Sequence, residues 1–125
     1  TRADGFPQAT TVGYANEGLD LYFCCYRLSQ KVRNLRRSSK VSLTIDHDTR
    51  NWARIKGLSM GARARVLSKP GEVKHAFELL ARRIPEMRKI SKADLADTAF
   101  VKVTPKVISV LDYSKGFGHT DLVRP

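Results

Sequence analysis

The sequence predicts a mainly β domain, an antiparallel β-barrel with peripheral helices, and three observations carry that expectation. Period-2 alternation of apolar and polar residues recurs in short runs between Gln8 and Leu111, which is the pattern of half-buried strands. One long amphipathic helix interrupts these runs, so strands do not alternate with helices as a parallel βαβ sheet requires. Gly57 and Gly61 lie inside the long run from Trp52 to Leu67, and glycines within a strand mark a bulge or a barrel corner. Such a count of about six strands argues a closed antiparallel barrel over a doubly wound sheet.

In chain order, Asp4-Gly5 reads as a turn and Gln8 to Ala15 as the first strand. After a turn at Asn16-Glu17-Gly18, Leu19, Leu21 and Phe23 alternate with Asp20, Tyr22 and Cys24, a mostly buried second strand paired to the first as a hairpin. This strand delivers the chain into the stretch from Tyr26 to Asp46, on which the functional reading rests. Arg27, Lys31, Arg33, Arg36, Arg37 and Lys40 place six cations there before any Asp or Glu. Ser29 is a good N-cap for a short helix with Val32 and Leu35 on its inward face. The free N–H groups of that first turn point back at the strand end. With the Ser29 hydroxyl and Lys31 beside them, backbone donors, helix dipole and ammonium converge as an anion cradle. A solvated basic helix is the plain alternative.

Beyond Ser38-Ser39, Val41, Leu43 and Ile45 alternate with Ser42, Thr44 and Asp46 in a third strand. Trp52 to Leu67 reads either as one long curved strand or as two shorter strands joined by a loop at Gly57 to Gly61. Pro70-Gly71 opens the principal helix, where Val73, Ala76, Phe77, Leu80, Ala81 and Ile84 recur at helical spacing until Pro85 stops it. Ser91 with Asp94 resembles a capping box for a short second helix through Leu95. Phe100 to Val103 and Val107 to Leu111 give two closing strands separated by Thr104-Pro105.

A chain of 125 residues suits one domain, taken as residues 1–125. It opens without an initiator Met, so an N-terminal segment, and with it a strand, is expected to be missing. A formal net charge of +11 favours an anionic partner. Nucleic acid is the minority reading, because the aromatics are not interleaved with the cations as a stacking platform needs. Cys24 and Cys25 are adjacent and cannot form a disulfide framework. A reducing, cytoplasmic setting fits that usage. No apolar run approaches the roughly 20 residues that span a bilayer, and no export signal is present. His47, His75 and His119 are scattered without metal-ligand spacing, so no metal site is expected. Gly116-Phe117-Gly118 precedes no helical pattern, and no catalytic acid or base stands out. Redox or transfer chemistry must then come from a bound cofactor.

The order of the pieces carries a resemblance. The segment PQAT, the LYF strand, Ser29-x-Lys31-x-x-Asn34-Leu35, the strand VSLTID, WARIKG from Trp52 to Gly57 and the following GARARVL together resemble the pyridoxamine 5′-phosphate oxidase-like flavoproteins. The likeness runs over nearly the whole chain and implies an antiparallel Greek-key split β-barrel of the FMN-binding type. It also implies a flavin-dependent oxidoreductase, with FMN or a deazaflavin as cofactor and a homodimer that closes the flavin site. The cofactor contacts it implies are Tyr26, Ser29, Gln30, Lys31, Arg33 and Trp52, of which Ser29 and Lys31 hold the phosphate. Gln30 stands where the oxidases have an Arg, and Trp52 falls where they have a Gln that reaches the flavin. The tail GFGHTDLVRP lacks their Arg-x-His pair for the vitamer phosphate, so vitamin B6 oxidation is not expected and the small-molecule substrate stays open.

Overall fold

A computed structural model describes all of residues 1–125 as β1 (Tyr14–Glu17), β2 (Asp20–Tyr26), α1 (Gln30–Arg37), β3 (Lys40–Asp46), β4 (Lys56–Val66), α2 (Pro70–Arg83), α3 (Lys92–Ala96), β5 (Thr98–Asp112) and β6 (Thr120–Val123). Short 3₁₀ turns occupy Trp52–Arg54, Pro85–Lys89 and Tyr113–Lys115. The strands form an antiparallel sheet in the order β1-β2-β5-β4-β3, with β6 paired to β5. Internal contacts divide the chain into two interleaved units, residues 1–39 with 64–104 and residues 40–63 with 105–125.

In the first unit, β1 and β2 pair from Tyr14↔Phe23 to Glu17↔Asp20. That register leaves a two-residue turn at Gly18-Leu19, and Gly18 takes the left-handed φ of 59° that the turn demands. Leu19 is therefore a turn residue and 57% exposed, where the alternation predicted a strand position. The first strand is also shorter than expected. Gln8 to Gly13 carry no strand pairing, and ladder bonding starts at Tyr14. α2 packs against this hairpin. Its Ala76 and Leu80 join Ala15, Tyr22, Leu67 and Phe100 in one buried cluster, and burying side chains of Leu or Phe size contributes about 1.5–3 kcal/mol each. Pro70 occupies the first turn of α2, where its missing N–H costs nothing, and the helix ends at Arg83, two residues before Pro85.

In the second unit, β3 and β4 pair without a break from Lys40↔Arg63 to Asp46↔Gly57. The GLSMG segment is thus strand throughout, and the loop alternative does not apply. Gly61 is where bulk is excluded, since a Cβ there would lie 2.9 Å from Val107 Cγ1. The expected pair of closing strands is one strand, β5, running through Thr104 and Pro105. Proline is tolerated there because pairing with β2 ends at Val103 and pairing with β6 begins at Ile108, so that edge needs no ladder donor between them. β6 lies in the tail, which the sequence did not mark as strand. No helix is long and apolar enough to cross a membrane.

Candidate anion and cofactor site

The stretch after β2 folds as a capped turn. The Ser29 N–H donates to Tyr26 O at 3.0 Å, and Ser29 takes an extended conformation with φ −64° and ψ 157°. From there its Oγ accepts from Val32 N at 3.4 Å, and its backbone carbonyl accepts from Arg33 N at 3.2 Å. The N–H groups of Gln30 and Lys31 are the other donors of this first turn. Val32, 1% exposed, anchors the helix. Arg27 fixes the turn from behind, its N–H donating to Asp97 O and its Nε to Asp97 Oδ1, both at 2.8 Å. Ser29 Oγ also lies 3.7 Å from Cys25 Sγ, to which it donates. Cys24 points to the opposite face of β2, toward the α2 core, where burial first and the neighbouring Cys25 second push its thiol pKa up.

The cations of α1 differ from Arg27 in what they bind. Lys31 Nζ donates to Thr10 Oγ1 at 2.6 Å. Arg33 bends back along the helix, so that Nη1 reaches Leu28 O at 2.7 Å and Nη2 reaches Gln30 Oε1 at 2.8 Å. Arg37 donates to the carbonyl oxygens of Thr1, at 2.6 Å, and Arg2. All of these acceptors are neutral, and no carboxylate forms a salt bridge with Lys31, Arg33 or Arg37. A dianionic phosphate exchanging with such oxygens adds the attraction of opposite charges to bonds in which only the donor is ionised. The donor set therefore fits a phosphate; the bend of Arg33 is held by its own bonds to Leu28 O and Gln30 Oε1 and is equally compatible with a solvated basic helix.

Of the residues expected at the cofactor, Tyr26, Ser29, Gln30, Lys31 and Arg33 come together at this turn. Tyr26 ends β2 and is 55% exposed. Trp52 belongs to the second unit, in the 3₁₀ turn capped by Asn51, and is 71% exposed. Sequence reasoning missed Gln8 and Thr10, which it placed in a strand. It also missed a cleft of about 350 Å³ in the second unit, floored by Ile45, Leu58 and Val110 and rimmed by Asp46, His47, Lys56 and Asp112. There Lys56 Nζ lies 3.7 Å from Asp112 Oδ2. The Ser114 hydroxyl, then its N–H and the charges of Lys56 and Lys115, hold the Asp112 carboxyl below the usual range. Three distant segments build the cleft, so no local pattern announced it.

An antiparallel six-stranded sheet with three helices is the architecture of a split barrel. The sequence matches the family described as pyridoxamine 5′-phosphate oxidase over residues 1–112, and the chain belongs to that family. The heme binding protein from Mycobacterium smegmatis is similar, with a TM-score of 0.79 at 16% identity, over 98% of this chain and 49% of that one. This chain thus spans about half the length of that relative. HutZ, the heme storage protein from Vibrio cholerae, gives a TM-score of 0.70 at 18% identity over 83% of this chain and 75% of its own. A pyridoxamine 5′-phosphate oxidase-like protein from Listeria innocua gives 0.69 at 19% identity over 86% and 81%. At such identities the likeness shows the fold, the split barrel of this family. A comparison with curated protein sequences gives no match.

Proposed function

We propose that this chain binds FMN and serves as a flavin-dependent oxidoreductase, with the phosphate seated at the N-terminus of α1. The observation that carries the reading is the electrostatic one: Lys31 and Arg33 both lie in the first turn of a Ser29-capped helix and have only neutral oxygens as partners. Bound flavin would supply the electron transfer. The chain's own contribution is to hold the phosphate with the ammonium of Lys31, the guanidinium of Arg33 and the first-turn N–H groups. Gln30 and Tyr26 line the same turn, and Trp52 is the aromatic proposed for the ring. A two-fold homodimer completes the flavin site in this reading, burying about 1,600 Å² or more. Light scattering at micromolar concentration tests that assembly. A deazaflavin, also carrying an anionic side chain, is the alternative within the class.

Heme is a second reading, favoured by what the Mycobacterium smegmatis and Vibrio cholerae relatives bind. Its propionates are anions that the same cations would attract. The deciding experiment is the absorption spectrum of the purified protein, followed by heat release of the chromophore and its mass. A released flavin supports the first reading, and a porphyrin replaces it with the second. Titration with FMN then measures the cradle directly, and a chain that binds no flavin ends the proposal.

A further inference from the structure

Asn34 is the buried polar residue of α1, 9% exposed, and both ends of its amide are engaged. Its Nδ2 donates to Gln8 Oε1 at 3.0 Å, and its Oδ1 accepts from Gln30 Nε2 at 2.9 Å. Gln30 Oε1 in turn accepts from Arg33 Nη2 at 2.8 Å. The chain of bonds has one direction only. A guanidinium has donors and no acceptor, so Arg33 obliges Gln30 to present its carbonyl oxygen. Gln30 must then offer its NH₂ to Asn34, and Asn34 its NH₂ to Gln8. The far end lies in the segment before β1 that carries no strand pairing.

We propose that Asn34 and Gln8 are positioning residues of the anion site, acting through Gln30 to keep the Arg33 guanidinium turned toward Leu28 at the helix start. The inference rests on the phosphate reading above and extends it to residues that touch no ligand. A helix packing only for stability has no need of a polar side chain at this inward position. Buried amides cost free energy unless paired, and an apolar residue of the same shape is often as stable. What the amide adds is direction. Without it, Gln30 is free to rotate, and Arg33, at the fourth position of α1, has nothing but the Leu28 carbonyl to hold it back against the helix.

The test is a double-mutant cycle of Asn34→Leu and Arg33→Met, with FMN affinity read by flavin fluorescence, inorganic phosphate affinity by calorimetry and folding by circular dichroism. Asn34→Leu is expected to weaken both ligands about 3- to 10-fold in the parent and to have no further effect once Arg33 is Met, because coupled residues are non-additive. The more exposed Gln8→Met should follow the same rule with a loss of about 2- to 3-fold, and it stands in for Asn34→Leu should that variant fail to fold. Equal losses in both backgrounds, or no loss in either, overturn the relay while leaving the phosphate site in place. A parent that binds neither FMN nor phosphate removes the site itself, and the relay falls with it.

Discussion

The turn at the start of α1 and the cleft between β3, β4 and the end of β5 both gather charged side chains, yet they gather them differently. In the cleft a cation meets a carboxylate: Lys56 lies 3.7 Å from Asp112, and Asp46 lines the same cleft. At α1, Lys31, Arg33 and Arg37 meet hydroxyl, amide and carbonyl oxygens. A cation that already neutralises a carboxylate gains little from a second anion, whereas one resting on neutral oxygens has most of its interaction still to make. The net charge of +11 thus does not describe a uniformly basic surface, and position decides which cations serve a ligand.

Lys31→Ala gives the largest expected effect on that contrast. Charge-assisted contacts contribute about 1.5–3 kcal/mol, so FMN binding should weaken roughly 10- to 150-fold. Circular dichroism should stay unchanged, since Lys31 is on no apolar face. Binding as tight as the parent's would place the anion site elsewhere. Arg37→Ala comes next, with a loss of about 3-fold or less, because Arg37 holds Thr1 and Arg2 from the other end of α1. Lys56→Ala should leave FMN affinity within about 2-fold, and a larger loss there would erase the contrast between the two regions.

The smallest effect concerns acid. The folded-state pKa values of Asp112, Glu72 and Asp121 lie below their ordinary values, through hydrogen bonds first from Ser114, Arg65 and His119 respectively. Groups with depressed pKa values contribute stability that is fully present above their unfolded-state value, near 4, and is lost as pH falls through the folded one. The thermal midpoint should therefore drop modestly between about pH 5 and pH 3. Asp112→Asn should blunt that drop, while Lys31→Ala should not alter it. An unchanged slope in Asp112→Asn would show that the cleft pairing contributes nothing to stability.

Local chemistry explains what could be read from the chain alone. α1 was visible because Ser29 is a cap and Val32 a buried anchor. α2 was visible because Pro70 and Pro85 bracket a helical period, and β3 because Val41, Leu43 and Ile45 alternate without interruption. β5 was divided wrongly because Pro105 looks like punctuation when the partner strands on either side of it are unknown. β1 was drawn too early because the alternation of Gln8 to Val12 signals an extended chain without saying what the chain bonds to. Gln8 and Thr10 bond to α1 through side chains. The capped basic turn at Ser29 was legible as a single contiguous segment. Its supporting amides and the cleft, both assembled from separated segments, were not.

The interleaving of the two units bears on how the protein is made. Residues 1–39 cannot complete their unit until residues 64–104 have left the ribosome, and residues 40–63 wait for the final segment beginning at 105. At about 5–20 residues per second, the apolar face of the β1–β2 hairpin is exposed for several seconds before Phe100 and Val101 arrive to close the core beside β2. Stalling synthesis between residues 64 and 97 should trap a species whose hairpin is protease-sensitive, and releasing it through residue 104 should restore protection in one step.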